Sequence, residues 1–198
     1  AGVDEVGRGP IAGPVVSAAV IFKNFRKMEC LEDVDDSKKL TPKKREKLFK
    51  VIKEKALAYG IGVVSEKEID KINILNAAML SMKMAVDDLK IEPELLLIDG
   101  NKIPDTGYPS KAVVKGDSLS FSIAAASIVA KVTRDRMMCD YDVKYPQYLF
   151  RKNKGYGTKE HIDAVRKVGL CDIHRTTFCV KILSAEQTNL ELSVEHTA

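Results

Sequence analysis

Gly7, Gly9, Pro10, Gly13 and Pro14 crowd into one short stretch near the start of this chain and leave it little choice of fold there. They separate two segments with β character, residues 1–5 and 14–22, the second rich in Val, Ala and Ile. So short a connection joins neighbouring strands antiparallel, because a parallel return needs a crossover of about a dozen residues. The sheet therefore opens with a hairpin. Asp4 and Glu5 at the end of its first strand lead into a turn with Gly7, Arg8 and Gly9, a combination with chemical content. Carboxylates hold hard divalent cations, glycine lets the backbone approach a ligand, and arginine pairs with phosphate. Together they point to chemistry on a nucleic-acid backbone.

The rest of the chain alternates helix and strand patterns. Thr41-Pro42 starts a helix with an apolar face at Leu48, Val51, Ile52 and Ala56, and Gly60 is expected to stop it. Residues 61–64 read as a strand. Ser65 to Glu68 is a capping box, followed by Ile72, Leu75, Met79, Met82, Val86 and Leu89 at helical spacing, with a break expected at Asn73 and Asn76 and an end at Pro93. Residues 95–98 are apolar on both faces and read as a buried strand that delivers Asp99 at its end. Residues 112–114 read as another strand, followed by Gly116 and Asp117. Helices are expected over 120–141 and 160–167, and beyond Val180 the pattern is weak. This order predicts an α/β domain, a mixed sheet flanked by helices. The 198 residues suffice for one such domain with a small helical C-terminal extension, divided here as 1–142 for the core and 143–198 for the extension. A chain of this length buries a core without disulfides.

Net charge is +4, and its distribution matters more than its size. Nine Lys/Arg and two Glu fall between Lys38 and Lys55, the composition of a wet helix face. Between Lys144 and Lys159, five Lys/Arg stand among Tyr145, Tyr148, Phe150 and Tyr156 with no acid. Base and sugar stacking beside phosphate neutralisation suits that mixture. No run approaches the length of a membrane span, and the acidic start does not read as a secretory leader. Cys30, Cys139, Cys171 and Cys179 lack the paired spacing of zinc sites and read as reduced thiols of a cytoplasmic protein.

Four acids sit at strand ends or glycine turns: Asp4, Glu5, Asp99 and Asp117. Most others lie on helix faces beside Lys or Arg. A carboxylate after an apolar run is costly unless something compensates it. Two divalent metals held by carboxylates can activate a water and stabilise a leaving oxygen in phosphodiester hydrolysis. One geometric difficulty stands out. In a regular strand Asp4 and Glu5 point to opposite faces, so both reach one cluster only if the strand ends or twists at Glu5. Gly7, Gly9 and Gly13 superficially match a dinucleotide-binding turn, but that turn opens a helix, and here a β-rich segment follows.

The sequence resembles ribonuclease HII from its first residue to about Phe178. The resemblance is carried in order by Val3-Asp4-Glu5-Val6-Gly7-Arg8-Gly9, Asp36-Ser37-Lys38-Lys39-Leu40, Ile98-Asp99-Gly100, Lys115-Gly116-Asp117, Ala125-Ala126-Ser127 through Arg134-Asp135, Gly155-Tyr156-Gly157-Thr158 and His174-Arg175. It implies a ribonuclease H-like fold and a metal-dependent endonuclease with two divalent ions, Mg²⁺ or Mn²⁺, per site. The implied partners are RNA–DNA hybrids and duplex DNA containing ribonucleotides, with no membrane and no known protein partner. A monomer is expected, since a duplex needs an open face. Asp4, Glu5, Asp99 and Asp117 match the family's metal ligands. Gly7, Arg8 and Gly9 match its reader of the ribose 2′-hydroxyl, Tyr156 its sugar-packing tyrosine, and Ser37 and Lys38 its phosphate contacts. Asp135 is not one of the four acids and is expected to be structural. A non-catalytic hybrid binder and the related ribonuclease HIII are the competing readings.

Overall fold

The computed structural model describes residues 1–23, 34, 37 and 40–183. They form two compact units, Ala1–Arg8 with Pro14–Arg136, and Gly9–Gly13 with the chain from Met137 on.

The first unit is built on a five-stranded mixed sheet in the order β3-β2-β1-β4-β5. β1 (Gly2–Val6) and β2 (Val15–Ile21) form the anticipated antiparallel hairpin, with Asp4 opposite Ala18 and Glu5 opposite Ser17. β3 (Ala58–Val64) pairs antiparallel with β2. β4 (Leu96–Asp99) runs parallel to β1, and β5 (Ser110–Val113) parallel to β4. Alternation along the strands splits the core. Ala18 and Val20 pack with Leu48, Phe49 and Ile52 of α1 (Pro42–Lys55) and with Ala125, Ile128 and Val129 of α4 (Phe121–Lys144). Val3 and Ala19 pack with Met82, Ala85 and Val86 of α2 (Glu66–Asp87).

Helix starts follow the capping chemistry. The Thr41 hydroxyl accepts from the Lys44 amide and the Ser65 hydroxyl from the Glu68 amide. Asn73 breaks α2 with φ 65° and ψ 165°, and its Oδ1 accepts from the Leu75 and Asn76 amides, restarting the helix. Three expectations shift. Gly60 does not stop α1, which ends at an extended Ala56; it lies inside β3, where a Cβ would meet the Ala85 carbonyl oxygen of α2 at 2.1 Å. That close approach puts the small residues Ala78, Ser81 and Ala85 among the buried positions of α2, together with Met82 and Val86 of the expected face, and leaves Leu75 exposed. α2 also ends at Asp87, well before Pro93.

The second unit contains the end of α4, a 3₁₀ turn (Pro146–Tyr148), α5 (Phe150–Asn153), α6 (Lys159–Val168) and helical residues 176–183. Its core joins Ala12, Met138, Tyr148, Phe150, Val165 and Ile173. His161 and His174 are buried within it, their Nε2 atoms 3.0 Å apart. Burial, and for His174 the neighbouring His161, hold both imidazoles below their ordinary range, His174 at about 4. Unfolding frees His174 to titrate near 6.5, so the unfolded chain binds the extra proton between those values and stability falls as pH drops from 6.5 toward 4. By pH 5 the loss is expected to be on the order of 2 kcal/mol, carried by the coupled His161–His174 pair. Comparing denaturant midpoints of the parent and His174→Gln from pH 7.5 to 5 isolates this contribution. The gap between them should narrow in acid, and a constant gap would contradict a neutral buried His174.

Candidate active site

Three of the four expected acids converge. Asp4, Asp99 and Asp117 each offer a carboxylate oxygen, and these oxygens lie within 4.8 Å of one another. Each is placed by a different element. Asp4 sits in mid-β1 on the face covered by α4, buried, with Oδ1 accepting from the Glu5 amide at 2.7 Å and the Ser127 hydroxyl of α4 beside it. Asp99 is the last residue of β4, and its Oδ1 accepts from the Gly116 amide at 2.7 Å. Asp117 is buried on α3 (Gly116–Leu119), a single turn that Lys115 enters with left-handed backbone. A Cβ at Gly116 would meet Ile123 Cδ1 at 2.6 Å and Asp99 Oδ1 at 3.2 Å, so glycine there lets α3 close against the strand end.

Glu5 stands apart from this tight group. β1 does not end at Glu5 but continues to Val6, and alternation holds. Glu5 therefore turns to the α2 side, where with Arg8, Leu75, Met79, Asp99 and Lys102 it lines a cavity of about 250 Å³. Asp99, at its strand end, is the acid that both Asp4 and Glu5 sense across the edge of β1. With β1 regular through Val6, the condition for Asp4 and Glu5 to share one cluster is not met, and the tight group is Asp4, Asp99 and Asp117. Arg8 Nη1 reaches Glu5 Oε1 at 3.1 Å.

The electrostatics are those of a site short of positive charge. Burial raises the Asp4 carboxyl well above its ordinary range, and the negative charges of Glu5 and Asp99 raise it further. Burial also raises Glu5, with Arg8 opposing. Adjacent buried carboxylates of this kind are relieved by protons or by a cation. Oxygen-only donors suit a hard divalent ion, so the residues fit a metal of the Mg²⁺ or Mn²⁺ class.

The remaining expected residues are distributed as follows. Gly7 has φ +96° and a Cβ there would meet Arg134 Nε at 2.3 Å. Gly9 has no such neighbour: a Cβ would meet only Tyr156 Cε1, at 3.7 Å. Tyr156 is 44% exposed, available to a ligand. Ser37 is buried, its hydroxyl 2.7 Å from Ser127 Oγ and its carbonyl accepting from Arg45 at 2.8 Å. Lys38 lies outside the described residues. Asp135 is paired with Lys131 at 2.7 Å. Cys171 Sγ lies 3.2 Å from His174 Nδ1 and Cys179 Sγ 3.8 Å from the Ile11 carbonyl, and among the described residues the three acids are the one group arranged to hold a metal. Sequence reasoning missed Ser127, which links Ser37 to Asp4; the only signal was a hydroxyl in an alanine run that otherwise reads as close packing.

Comparison with known proteins agrees with this geometry. The family model described as Ribonuclease HII matches residues 1–181. A ribonuclease HII of Caldicellulosiruptor bescii is 56% identical over 183 residues, 92% of this chain and 87% of that protein. One from Caldanaerobacter subterraneus is 57% identical over 183 residues, 92% and 75% of the two chains. Among solved structures, ribonuclease H2 from Pyrococcus horikoshii superposes with a TM-score of 0.74 at 32% identity, covering 91% of this chain and 95% of that one. Ribonuclease HII from Archaeoglobus fulgidus, solved with PCNA, gives 0.75 at 26% identity over 88% and 92%. The mixed sheet, the acid cluster at its strand end and the match along nearly the whole sequence agree: this chain belongs to the ribonuclease HII family.

Proposed function

We propose that this chain hydrolyses the RNA strand of RNA–DNA hybrids and also incises duplex DNA on the 5′ side of a single embedded ribonucleotide, leaving 3′-hydroxyl and 5′-phosphate ends. The observation that carries this reading is the Asp4–Asp99–Asp117 cluster in a chain of this family. Asp4, Asp99 and Asp117, with Glu5 at the cavity beside them, would hold two divalent ions, Mg²⁺ or Mn²⁺. Such ions supply an activated water and a stabilised leaving oxygen in phosphodiester hydrolysis.

The chain's own residues set what is cut. Gly9 leaves backbone open where a side chain would otherwise stand, so a ribose can approach within hydrogen-bond reach. The 2′-hydroxyl donates and accepts, and it is the group that separates RNA from DNA. The Tyr156 ring, exposed beside Gly9, packs on the neighbouring sugar. Arg8 pairs with Glu5 and places a guanidinium, a group that recognises phosphate, in the substrate-binding turn. The family resemblance assigns Ser37 and Lys38 to the backbone phosphate near the cut, and Ser127 stands between Ser37 and Asp4.

A DNA duplex carrying one ribonucleotide, incubated with Mg²⁺, with Mn²⁺ and with chelator, tests this directly. Metal-dependent cleavage 5′ to the ribonucleotide, leaving a 3′-hydroxyl, is expected. Retention of the duplex without cleavage would favour a binder, and cleavage of long hybrids alone would favour a chemistry like that of ribonuclease HIII. Tyr156→Ala is expected to lower cleavage at the isolated ribonucleotide by about tenfold, the scale of one lost sugar or base stacking contact, and to affect a long hybrid less. Equal losses on both substrates, measured side by side, would remove the junction-reading role.

A further inference from the structure

The segment after the Gly7-Arg8-Gly9 turn is clamped from two sides within the second unit. The Ile11 and Ala12 amides both donate to the Gly155 carbonyl, at 2.9 and 3.2 Å. On the other side Ala12 forms a β-bridge with His174, flanked by Gly13 N–H to the Ile173 carbonyl at 2.8 Å and Arg175 N–H to the Ile11 carbonyl at 2.9 Å. The Arg175 guanidinium adds two bonds to the Gly13 carbonyl, from Nε at 2.9 Å and Nη2 at 2.8 Å. Gly155, with φ +83°, is seated so closely that a Cβ would meet the Ala12 carbonyl oxygen at 2.3 Å.

A second connection runs through side chains. The carbonyl of Tyr156 can only accept, so His161 Nδ1, 2.8 Å away, must carry a proton and donate it. In a neutral imidazole the Nε2 of His161 is then bare. It lies 3.0 Å from His174 Nε2, which must therefore carry the proton between them. That leaves His174 Nδ1 bare, and it accepts from the Cys171 amide at 3.0 Å, with the Cys171 thiol 3.2 Å away. The opposite tautomer of His174 would turn an N–H toward the Cys171 carbonyl, 3.3 Å away, but would set two bare Nε2 atoms against each other and two N–H groups face to face. One proton arrangement satisfies the whole chain from Cys171 to Tyr156. The rings are held by Tyr148 and Phe150, whose centroids lie 4.8 to 6.1 Å from those of the two histidines.

We propose that His161 and His174 are positioning residues for ribonucleotide recognition: the backbone on either side of His174 fixes the segment behind Gly9, and the His174 ring, through His161, fixes the carbonyl of Tyr156. The pair thereby sets the spacing between the two groups assigned above to the ribose and the adjoining sugar, and it rests on that assignment. A recognition element of two parts needs a fixed distance between them, and long hybrids with many ribose contacts depend on it less than a lone ribonucleotide does.

The tests separate this relay from the reading it rests on. His161→Phe keeps an aromatic ring, somewhat larger, and removes both nitrogens. It should raise KM for the single-ribonucleotide duplex by about tenfold, the effect of one lost hydrogen bond to the backbone, and leave kcat on a long hybrid within about twofold. His161→Asn, whose amide can stand near the Nδ1 position, should restore much of the loss, and His161→Gln should not. Tyr156→Ala combined with His161→Phe should be no worse than Tyr156→Ala alone, because the relay acts through Tyr156. Additive losses, or equal losses on both substrates, overturn the relay. If Tyr156→Ala by itself fails to discriminate the substrates, the junction reading falls and the relay falls with it. A measurement on the unaltered protein stands independent of how any variant folds: ¹⁵N NMR of the imidazoles at neutral pH should show the Nδ1–H form for one buried histidine and the Nε2–H form for the other. Two identical tautomers, or an imidazolium at either position, overturn the proposal.

Discussion

Asp4→Asn and Asp99→Asn are each expected to lower cleavage by about 10³-fold or more while the chain still folds, the several kcal/mol that metal-assisted stabilisation supplies. Asparagine is the informative replacement because it keeps the oxygen each site uses structurally. The amide oxygen at position 4 can still accept from the Glu5 amide, and that at position 99 from the Gly116 amide. What is lost is the charge. In Asp4 that charge is buried beside Glu5 and Asp99, so removing it relieves repulsion. The metal-free variant should therefore melt no lower than the parent. Adding Mg²⁺ should raise the parent's melting temperature, since a ligand that binds only the folded state stabilises it, and should raise the variants' less. Parent-like turnover from either variant in clean preparations would sink the site. A large fall in metal-free melting temperature would instead show that the carboxylates are structural.

How much of this was legible beforehand depended on whether a residue's role was local. The hairpin, both helix caps and the Asn73 break were readable because each is decided by a few neighbouring residues. Asp99 was readable because an acid closing an apolar run must have compensation, and its partners Asp4 and Asp117 shared the same strand-end or glycine-turn setting. The apparent conflict between Asp4 and Glu5 was a correct deduction from strand alternation. Alternation holds, so Glu5 turns away from the Asp4–Asp99–Asp117 group, and only the pairing of β4 beside β1 brings Asp99 near both acids, which no local pattern encodes. The same limit explains the misread glycine and helix face: Gly60 and the Ala78–Ser81–Ala85 stripe are complementary surfaces far apart in sequence, and each alone looks like a stop or a weak helix. Ser127 with Ser37, and His161 with His174, are likewise invisible one at a time, because their meaning is the hydrogen bond between them.

The two glycines of the Gly7-Arg8-Gly9 turn should separate cleanly into one needed by the fold and one needed by the substrate. Gly7→Ala is expected to destabilise the chain by about 3 kcal/mol, combining a left-handed backbone position with a steric clash. The clash has no easy relief. The new methyl would meet Arg134 Nε at 2.3 Å and the Pro14 carbonyl oxygen at 2.8 Å. Arg134 is fully buried and its Nε donates to that same carbonyl at 2.9 Å, so moving it breaks the bond that holds the start of β2. Gly9→Ala meets nothing closer than Tyr156 Cε1 at 3.7 Å, an ordinary contact, and its backbone needs no special conformation. Stability should change by less than about 0.5 kcal/mol. Cleavage at an isolated ribonucleotide should nonetheless fall by about 10²-fold under the proposed role of Gly9, in which the methyl would occupy the space of the ribose and shift the scissile bond. Denaturant midpoints and single-turnover cleavage on the same preparations decide between the roles. Equal stability losses from both substitutions would mean that Gly9 is only part of the turn; full activity in Gly9→Ala would show that the ribose approaches elsewhere.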